Sequence, residues 1–158
     1  MNNSTSVTEH LTSIGIPHQL FRHTGPVRSL EQAAKERNQS PDQVVRSIVF
    51  RISRGVYVMV LVAGPVQISW PALRSYLGVP RLTMASREEV YEVTGYETGA
   101  VSPFALPQPM RILVDGSVLA QQQISIGSGE RGSTVIMDRE DLLRALQGAE
   151  TGNFTDIA

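Results

Sequence analysis

Apolar residues in this chain recur in two patterns, one typical of strands and one typical of helices. Two apolar runs at residues 46–52 and 56–63, separated by Ser53, Arg54 and Gly55, predict a β-hairpin. The second run is almost continuously apolar, so we expect a central strand that is buried on both faces. Shorter runs predict further strands at 18–23, 81–84, 110–114, 123–126 and 135–137.

Helix starts are marked by small polar residues that can accept a hydrogen bond from a free backbone N–H group. Ser86 followed by Glu89 forms a capping-box pattern, and Asp138 precedes a run of leucines at helical spacing. Asp115 follows a strand and is predicted to cap the turn after it rather than to act as a base. The predicted helices cover 5–13, 31–37, 70–77, 87–93 and the segment from Asp138 to Leu146, with one helical turn after Ser40.

Strands and helices follow one another without a strict strand–helix–strand rhythm, and the hairpin implies antiparallel pairing. These features predict an α+β fold, in which helices pack against a mixed sheet. A length of 158 residues without an internal repeat or a low-complexity linker fits one domain covering 1–158. We expect residues 148–158 to be a frayed tail, because terminal segments are poorly ordered unless packing secures them.

The composition excludes several classes of protein and site. The chain has no cysteine, which rules out disulfides, cysteine metal ligands and a cysteine nucleophile. No apolar stretch reaches the length of a membrane span and the N-terminus lacks a signal-peptide pattern, so we expect a cytoplasmic protein without membrane contact. The histidines His10, His18 and His23 match no metal-binding spacing, so no metal is expected.

The formal net charge is −1, so bulk electrostatics does not favour a nucleic acid as partner. DNA is therefore not an expected partner, and a contact with RNA would use a local basic patch or the end of the RNA chain. Lys35 is the single lysine among 14 basic residues, which indicates a general coding bias toward arginine.

A stiff loop is predicted between residues 94 and 104, where Gly99 and Pro103 enclose three further residues. Glycine permits backbone angles that other residues avoid and lets a ligand approach the main chain, whereas proline fixes its own backbone. Such a loop can present N–H and C=O groups to a small polar ligand without a reactive side chain. A purely structural turn is the alternative interpretation.

A glycine-rich turn at 127–132 and a basic residue in the first long strand, Arg46, complete the candidate chemistry. The turn matches the pattern Gly-x-Gly-x-x-Gly, but no helix follows at once and no strand–helix–strand unit surrounds it, which excludes a dinucleotide site. A plain turn between strands is the alternative, and Arg131 would still need a partner there. At Arg46 the alternative is an arginine on a solvent-facing strand edge.

Taken in order, the basic strand, the Gly99 loop and the turn ending in Arg131 and Gly132 resemble the YbaK family. This family comprises aminoacyl-tRNA deacylase domains related to the editing insertion of bacterial prolyl-tRNA synthetase. The resemblance covers about residues 23–146. It implies a mixed, largely antiparallel, barrel-like sheet surrounded by helices, and an activity that uses no cofactor and no metal.

The resemblance also implies roles for individual residues. Arg46 stands where the family usually has a lysine that holds the terminal adenosine phosphate, and its planar fork suits phosphate with an altered geometry. The backbone at Gly99 would bind the ester and position a water, so Arg46 and Gly99 are the predicted catalytic residues. The predicted substrate-binding residues are His23, Ser47, Ala100, Val101, Ser102, Pro103, Gly127, Ser128, Gly129 and Arg131.

The leading hypothesis is a trans-editing hydrolase that deacylates a mischarged tRNA carrying a small amino acid. It would contact the terminal adenosine and the ester of aminoacyl-tRNA, and an aminoacyl-tRNA synthetase is an optional partner. Three residues depart from the usual family pattern, since Arg46 replaces a lysine, Ala100 replaces a glycine and Gly127 replaces a serine. The departures at Arg46 and Gly127 favour the alternative, a non-catalytic module that binds aminoacyl-tRNA, an adenosine-like ligand or a synthetase through the same pocket.

Overall fold

Eight strands and six α-helices form within residues 4–156, the part of the chain that this computed structural model describes. The strands are β1 (Gln19–Arg22), β2 (Val45–Ser53), β3 (Val56–Ala63), β4 (Thr83–Met84), β5 (Arg111–Asp115), β6 (Gln123–Gly127), β7 (Ser133–Asp138) and β8 (Glu150–Gly152). The helices are α1 (Ser6–Ser13), α2 (Leu30–Glu36), α3 (Trp70–Leu77), α4 (Arg87–Thr94), α5 (Gly116–Leu119) and α6 (Arg139–Leu146), with a 3₁₀ helix at Pro41–Gln43.

Most helix starts follow the capping residues that the sequence indicates. The predicted capping box of α4 is confirmed, because Ser86 accepts from the backbone of Glu89 and the Glu89 side chain accepts in return. Asp115 caps α5 as predicted, by accepting from the Ser117 N–H group at 2.9 Å. Asp138 occupies the position before α6 but makes no side-chain capping bond, so that prediction is wrong. Within 4–156, no helix combines the length and the apolar character that crossing a membrane requires.

The strands form two sheets rather than one. The larger sheet has the order β4-β2-β3-β5-β8 and the smaller has the order β1-β7-β6. Neighbouring strands are antiparallel, except that β3 pairs with β5 and β5 with β8 in parallel. The predicted α+β class with mixed, largely antiparallel pairing is therefore confirmed. The predicted barrel-like sheet is wrong, since the described strands do not close into a barrel.

The two sheets stay separate because one edge of β2 is only partly paired. On that edge β4 pairs with Phe50 and Arg51 alone. At the other end a single parallel bridge joins Val44 to Ser125 of β6. Between these points the edge of β2 has no strand partner among the described residues, and a cavity lies beside it.

The core lies on both sides of β3, as its continuous apolar run predicts. Met59 and Leu61 belong to the cluster on one face, and Val58, Val60 and Val62 belong to the cluster on the other. All five are fully buried. Alternation along a strand sends successive side chains to opposite faces, so a strand between two buried layers needs apolar residues at every position.

The segment after α6 is ordered by packing, which corrects the expectation of a frayed tail at 148–158. β8 extends the larger sheet by pairing in parallel with β5. Phe154 follows it with 1% exposure and donates its backbone N–H to Asp115 at 2.6 Å. Residues 157–158 lie outside the described residues. One aromatic residue within a polar tail is a weak sequence signal. Only its tertiary contacts show that Phe154 belongs to the core.

Phe154→Ala should lower the free energy of unfolding by about 3–5 kcal/mol, because it removes a buried aromatic ring and leaves a cavity. Denaturant unfolding measures this change. Tyr91→Ala is the matched control, since Tyr91 is 60% exposed and its loss should change stability by less than about 0.5 kcal/mol. Equal effects of the two substitutions would mean that the tail is not part of the packed core.

Candidate functional site

A cavity of about 1090 Å³ lies between the open edge of β2 and the smaller sheet. Residues from α2, the start of α4, the Gly99 loop and the glycine turn at 127–132 complete its wall. Ligand pockets usually enclose about 300–1,000 Å³, so the space exceeds what an amino acid alone would need. The size indicates a ligand as large as a nucleoside that carries a further group.

The cavity is lined by positive charge. Four arginines border it, namely Arg37, Arg46, Arg87 and Arg131. No aspartate or glutamate is among the described residues that line it. The whole chain has a net charge of −1, so this concentration of cations is local. A cavity with walls of one sign attracts ligands of the opposite sign, which here means an anion.

The Gly99 loop approaches the cavity through its backbone. A turn closes between Glu97 and Ala100, whose N–H donates to the Glu97 carbonyl at 2.9 Å. Gly99 lies inside this turn with φ +94, a conformation that glycine adopts without strain. Among the described residues, none accepts a hydrogen bond from the N–H of Gly99 or of Val101, and both of these residues line the cavity. Two lining residues thus have backbone donors without an acceptor in the described part of the chain.

Hydrogen bonds among buried residues hold the rest of the loop in place. Ser102 is fully buried and its Oγ accepts from the Phe104 N–H at 3.1 Å. The Tyr96 hydroxyl donates to the carbonyl of Phe104. Ala100, Ser102 and Pro103 are therefore buried, and they are not among the lining residues. Of the predicted loop residues, the structure brings only Gly99 and Val101 to the cavity.

The glycine turn packs backbone to backbone against this loop. A Cβ atom on Gly127 would lie 2.0 Å from the Val101 carbonyl oxygen, so only glycine fits there. The Gly129 N–H donates to the Ala100 carbonyl at 3.0 Å. Arg131 Nε donates to the Thr98 carbonyl at 3.2 Å. Glycine, which stands at position 127 where the family pattern has serine, is therefore the residue that this close contact requires.

Within the turn, Ser128 has a structural role. It is fully buried, and its Oγ contacts the Ser133 Oγ at 2.6 Å and donates to the Glu130 carbonyl at 3.0 Å. Neither Ser128 nor Gly129 is among the lining residues, whereas Gly127 and Arg131 are. The structure therefore places half of these four predicted binding residues at the cavity and the other half behind it.

Arg46 borders the cavity, but its guanidinium is engaged elsewhere. Alternation along β2 puts Arg46 on the face of Ile48 and Phe50, and Ser47 on the opposite face. Its Nε donates to the Gly64 carbonyl at 2.9 Å, and its Nη2 donates to the carbonyl of Val66. Partial burial lowers the pKa of this guanidinium. The contact of Arg46 with a substrate stays a prediction.

His23 lines the cavity and pairs with a carboxylate of α2. Its Nδ1 lies 2.7 Å from Glu36 Oε1, and its side chain is 4% exposed. The hydrogen bond from His23 is the main reason that the pKa of Glu36 lies below its usual value. The Glu36 carboxylate therefore engages the Nδ1 side of the His23 ring.

Buried polar atoms without a partner concentrate at this cavity. The lining residues Ser47, Ser125 and Arg37 have such atoms, namely Oγ in each serine and Nε and Nη2 in the arginine. Gln39 Oε1 is the remaining one among the described residues. Native proteins leave few buried polar groups unpaired, so this grouping marks the cavity as a place where a ligand can bind. Among the described residues, no three His, Asp or Glu side chains are grouped as metal ligands.

Sequence reasoning predicted Ser47 but missed Arg37 and Ser125. Arg37 follows a short polar helix and has the pattern of an ordinary solvent-facing cation. Ser125 alternates with Ile124 and Ile126, which is typical of a strand with one solvated face. Both are at the cavity because the two sheets meet there, and no local pattern contains that information.

Comparisons with known proteins relate this chain to aminoacyl-tRNA editing domains. A family described as an aminoacyl-tRNA editing domain matches residues 24–145. A proline–tRNA ligase of Kosmotoga olearia is 29% identical over 109 residues, which is 69% of this chain and 19% of the relative. One of Staphylococcus aureus is 25% identical over 135 residues, covering 85% of this chain and 22% of the relative. The chain thus spans about a fifth of the length of the curated relatives that it matches.

A similar solved structure is that of a protein proposed to be a trans-editing enzyme for prolyl-tRNA synthetase. It superimposes with a TM-score of 0.87 at 25% sequence identity, and the match covers 96% of each chain.

Gly127→Ser should destabilise the protein by about 1–3 kcal/mol, because the new Cβ overlaps the Val101 carbonyl and forces the backbone apart. Thermal unfolding measures the loss. Gly25→Ser is the matched control, since Gly25 also lines the cavity but has no atom within 4 Å of an added Cβ. If Gly127→Ser unfolds like the parent chain, the contact between the two loops is looser than described.

Proposed function

This chain belongs to the aminoacyl-tRNA editing domain family, and we propose that it is a trans-editing hydrolase that removes a small amino acid from mischarged tRNA. The observation that carries the proposal is a cavity bordered by arginines, in which the lining residues Gly99 and Val101 have backbone N–H groups without an acceptor among the described residues. An aminoacyl-tRNA end brings an anionic phosphate and a reactive ester to the same place, so it fits both features.

Hydrolysis of this ester needs no nucleophilic side chain. Water adds to the ester carbonyl carbon, the acyl C–O bond breaks, and the products are a free amino acid and a tRNA with a free terminal hydroxyl group. Negative charge develops on the carbonyl oxygen in the transition state, and a backbone donor aimed at it contributes about 2.7–4 kcal/mol. The N–H groups of Gly99 and Val101 are the candidate donors.

The walls of the cavity suit a small, weakly polar side chain. Val49, Val90 and Ile126 line it, and each is at least nine-tenths buried. The rigid loop behind Gly99 resists displacement by a larger group. We therefore propose alanine, cysteine, serine or proline as the amino acid that is released.

The body of the tRNA needs a second binding partner. Binding to a tRNA body uses many phosphate contacts, and a chain with net charge −1 offers few outside the cavity. The curated relatives are proline–tRNA ligases about five times longer than the matched segment. We propose that a synthetase supplies the tRNA and that this chain handles its end.

One observation favours a second function. Both engaged nitrogens of Arg46 donate to backbone carbonyls, so they are not free to contact a substrate. A non-catalytic module, which binds the aminoacyl-tRNA end or a synthetase without cleaving the ester, would leave Arg46 in this arrangement.

The protein should deacylate at least one of alanyl-, cysteinyl-, seryl- and prolyl-tRNA faster than buffer, and a chelator should leave the rate unchanged. Release of labelled amino acid measures the turnover. Binding of the uncharged tRNA end without turnover on any of the four esters would instead establish the binding module.

Gly99→Ala should lower kcat/KM roughly a hundredfold, since a shift of the loop by about 1 Å is enough for such a loss. The methyl group itself has space, as its nearest neighbour is Arg131 Nε at 3.9 Å, but φ +94 is strained for alanine. The strain costs about 1–2 kcal/mol of stability.

Gly95→Ala is the control for this strain. Gly95 has φ +77, no atom within 4 Å of an added Cβ, and no place in the cavity wall. The Gly95→Ala variant should lose about as much stability as Gly99→Ala and keep its hydrolytic activity. Normal hydrolysis by Gly99→Ala would show that the loop is structural only.

A further inference from the structure

Arg37 lies at the end of α2, where its backbone N–H donates to the carbonyls of Ala33 and Ala34. It lines the cavity, and its Nε and Nη2 are buried without a hydrogen bond to any described residue. No ion pair to it is formed within residues 4–156. A guanidinium has five N–H donors in a rigid fork, so leaving them unpaired is unfavourable.

The charge of Arg37 is only weakly balanced. Burial lowers its pKa, and the charge of the neighbouring Glu36 acts in the opposite direction. The Glu36 carboxylate itself accepts from His23 and Gln32 rather than from Arg37. Arg37 is half-buried, and its two buried nitrogens lack a partner, so a ligand that supplies an acceptor to them would stabilise the guanidinium.

The other cations of the cavity are less suited to hold an anion. Arg46 donates to the carbonyls of two residues after β3. Arg131 donates to Thr98 and lies 3.6 Å from a carboxylate oxygen of Glu97. Arg87 is exposed at the first position of α4. Arg37 alone among these four combines burial with unpaired donors.

We propose that Arg37 is the residue that holds the 5′ phosphate of the terminal nucleotide, the function that the family resemblance implies for Arg46. A guanidinium fork matches two phosphate oxygens, and the low-polarity surroundings strengthen the contact. The identity of the nucleotide depends on the proposed function, but the preference for a nucleotide 5′ phosphate does not. The phosphate pairs with the buried charge, and Ser47 and Ser125 offer further donors nearby.

Calorimetric titration with AMP and with adenosine tests the proposal, because the two probes differ only in the phosphate. The parent chain should bind AMP about ten- to a hundredfold more tightly than adenosine. Arg37→Met and Arg37→Gln should both reduce that ratio to near one and leave adenosine affinity unchanged. Lys35→Met is the matched control: it removes one positive charge from an exposed position of the same helix, and it should keep the ratio.

Unfolding of the same variants separates a binding function from a structural one. Arg37→Met should be as stable as the parent chain or more stable, since it removes two buried nitrogens that lack partners and keeps most of the apolar volume. A parent chain without preference for AMP, a neutral Arg37 variant that keeps the preference, or a Lys35 variant that loses it equally would overturn the proposal. These binding readouts need no turnover, so failure to hydrolyse any ester would reject only the proposed activity.

Discussion

The site exists because one edge of β2 is left without a strand partner. Backbone N–H and C=O groups along a strand edge need hydrogen bonds, and an open edge normally attracts another strand. Here β4 pairs with only two residues of that edge, and β6 touches it at one bridge. Closing the gap would join the sheets into a continuous surface and remove the cavity. The incomplete pairing of β2 thus provides the cavity in which a ligand can bind.

Part of the chemistry of the wall comes from main chain, namely the N–H groups of Gly99 and Val101. The turn at 127–132 approaches the Gly99 loop so closely that Gly127 cannot have a side chain. Hydrogen bonds from Gly129 and Arg131 then fix the loop from one side, and Ser102 fixes it from the other. Donors on a rigid backbone stay aligned without loss of side-chain entropy, which suits a reaction on an already activated ester.

Local patterns predicted the elements well and their assembly poorly. The hairpin of β2 and β3, the capping box of Ser86 and the buried character of β3 follow from short-range rules, and the structure confirms them. The separation into two sheets depends on contacts between residues distant in the chain. The same holds for Phe154, which lies in a polar tail, and for Arg37, which lines the cavity only because α2 packs beside it.

The unpaired polar groups around the cavity also connect occupancy with the lifetime of the protein. A ligand that binds only the native state stabilises it by about 2.7 kcal/mol at a hundredfold excess over its dissociation constant. The fraction of molecules that are transiently unfolded, and so open to proteases, falls in proportion. A ligand bound at the cavity would therefore protect the fold from proteolysis as well as pair with Arg37 and the two serines.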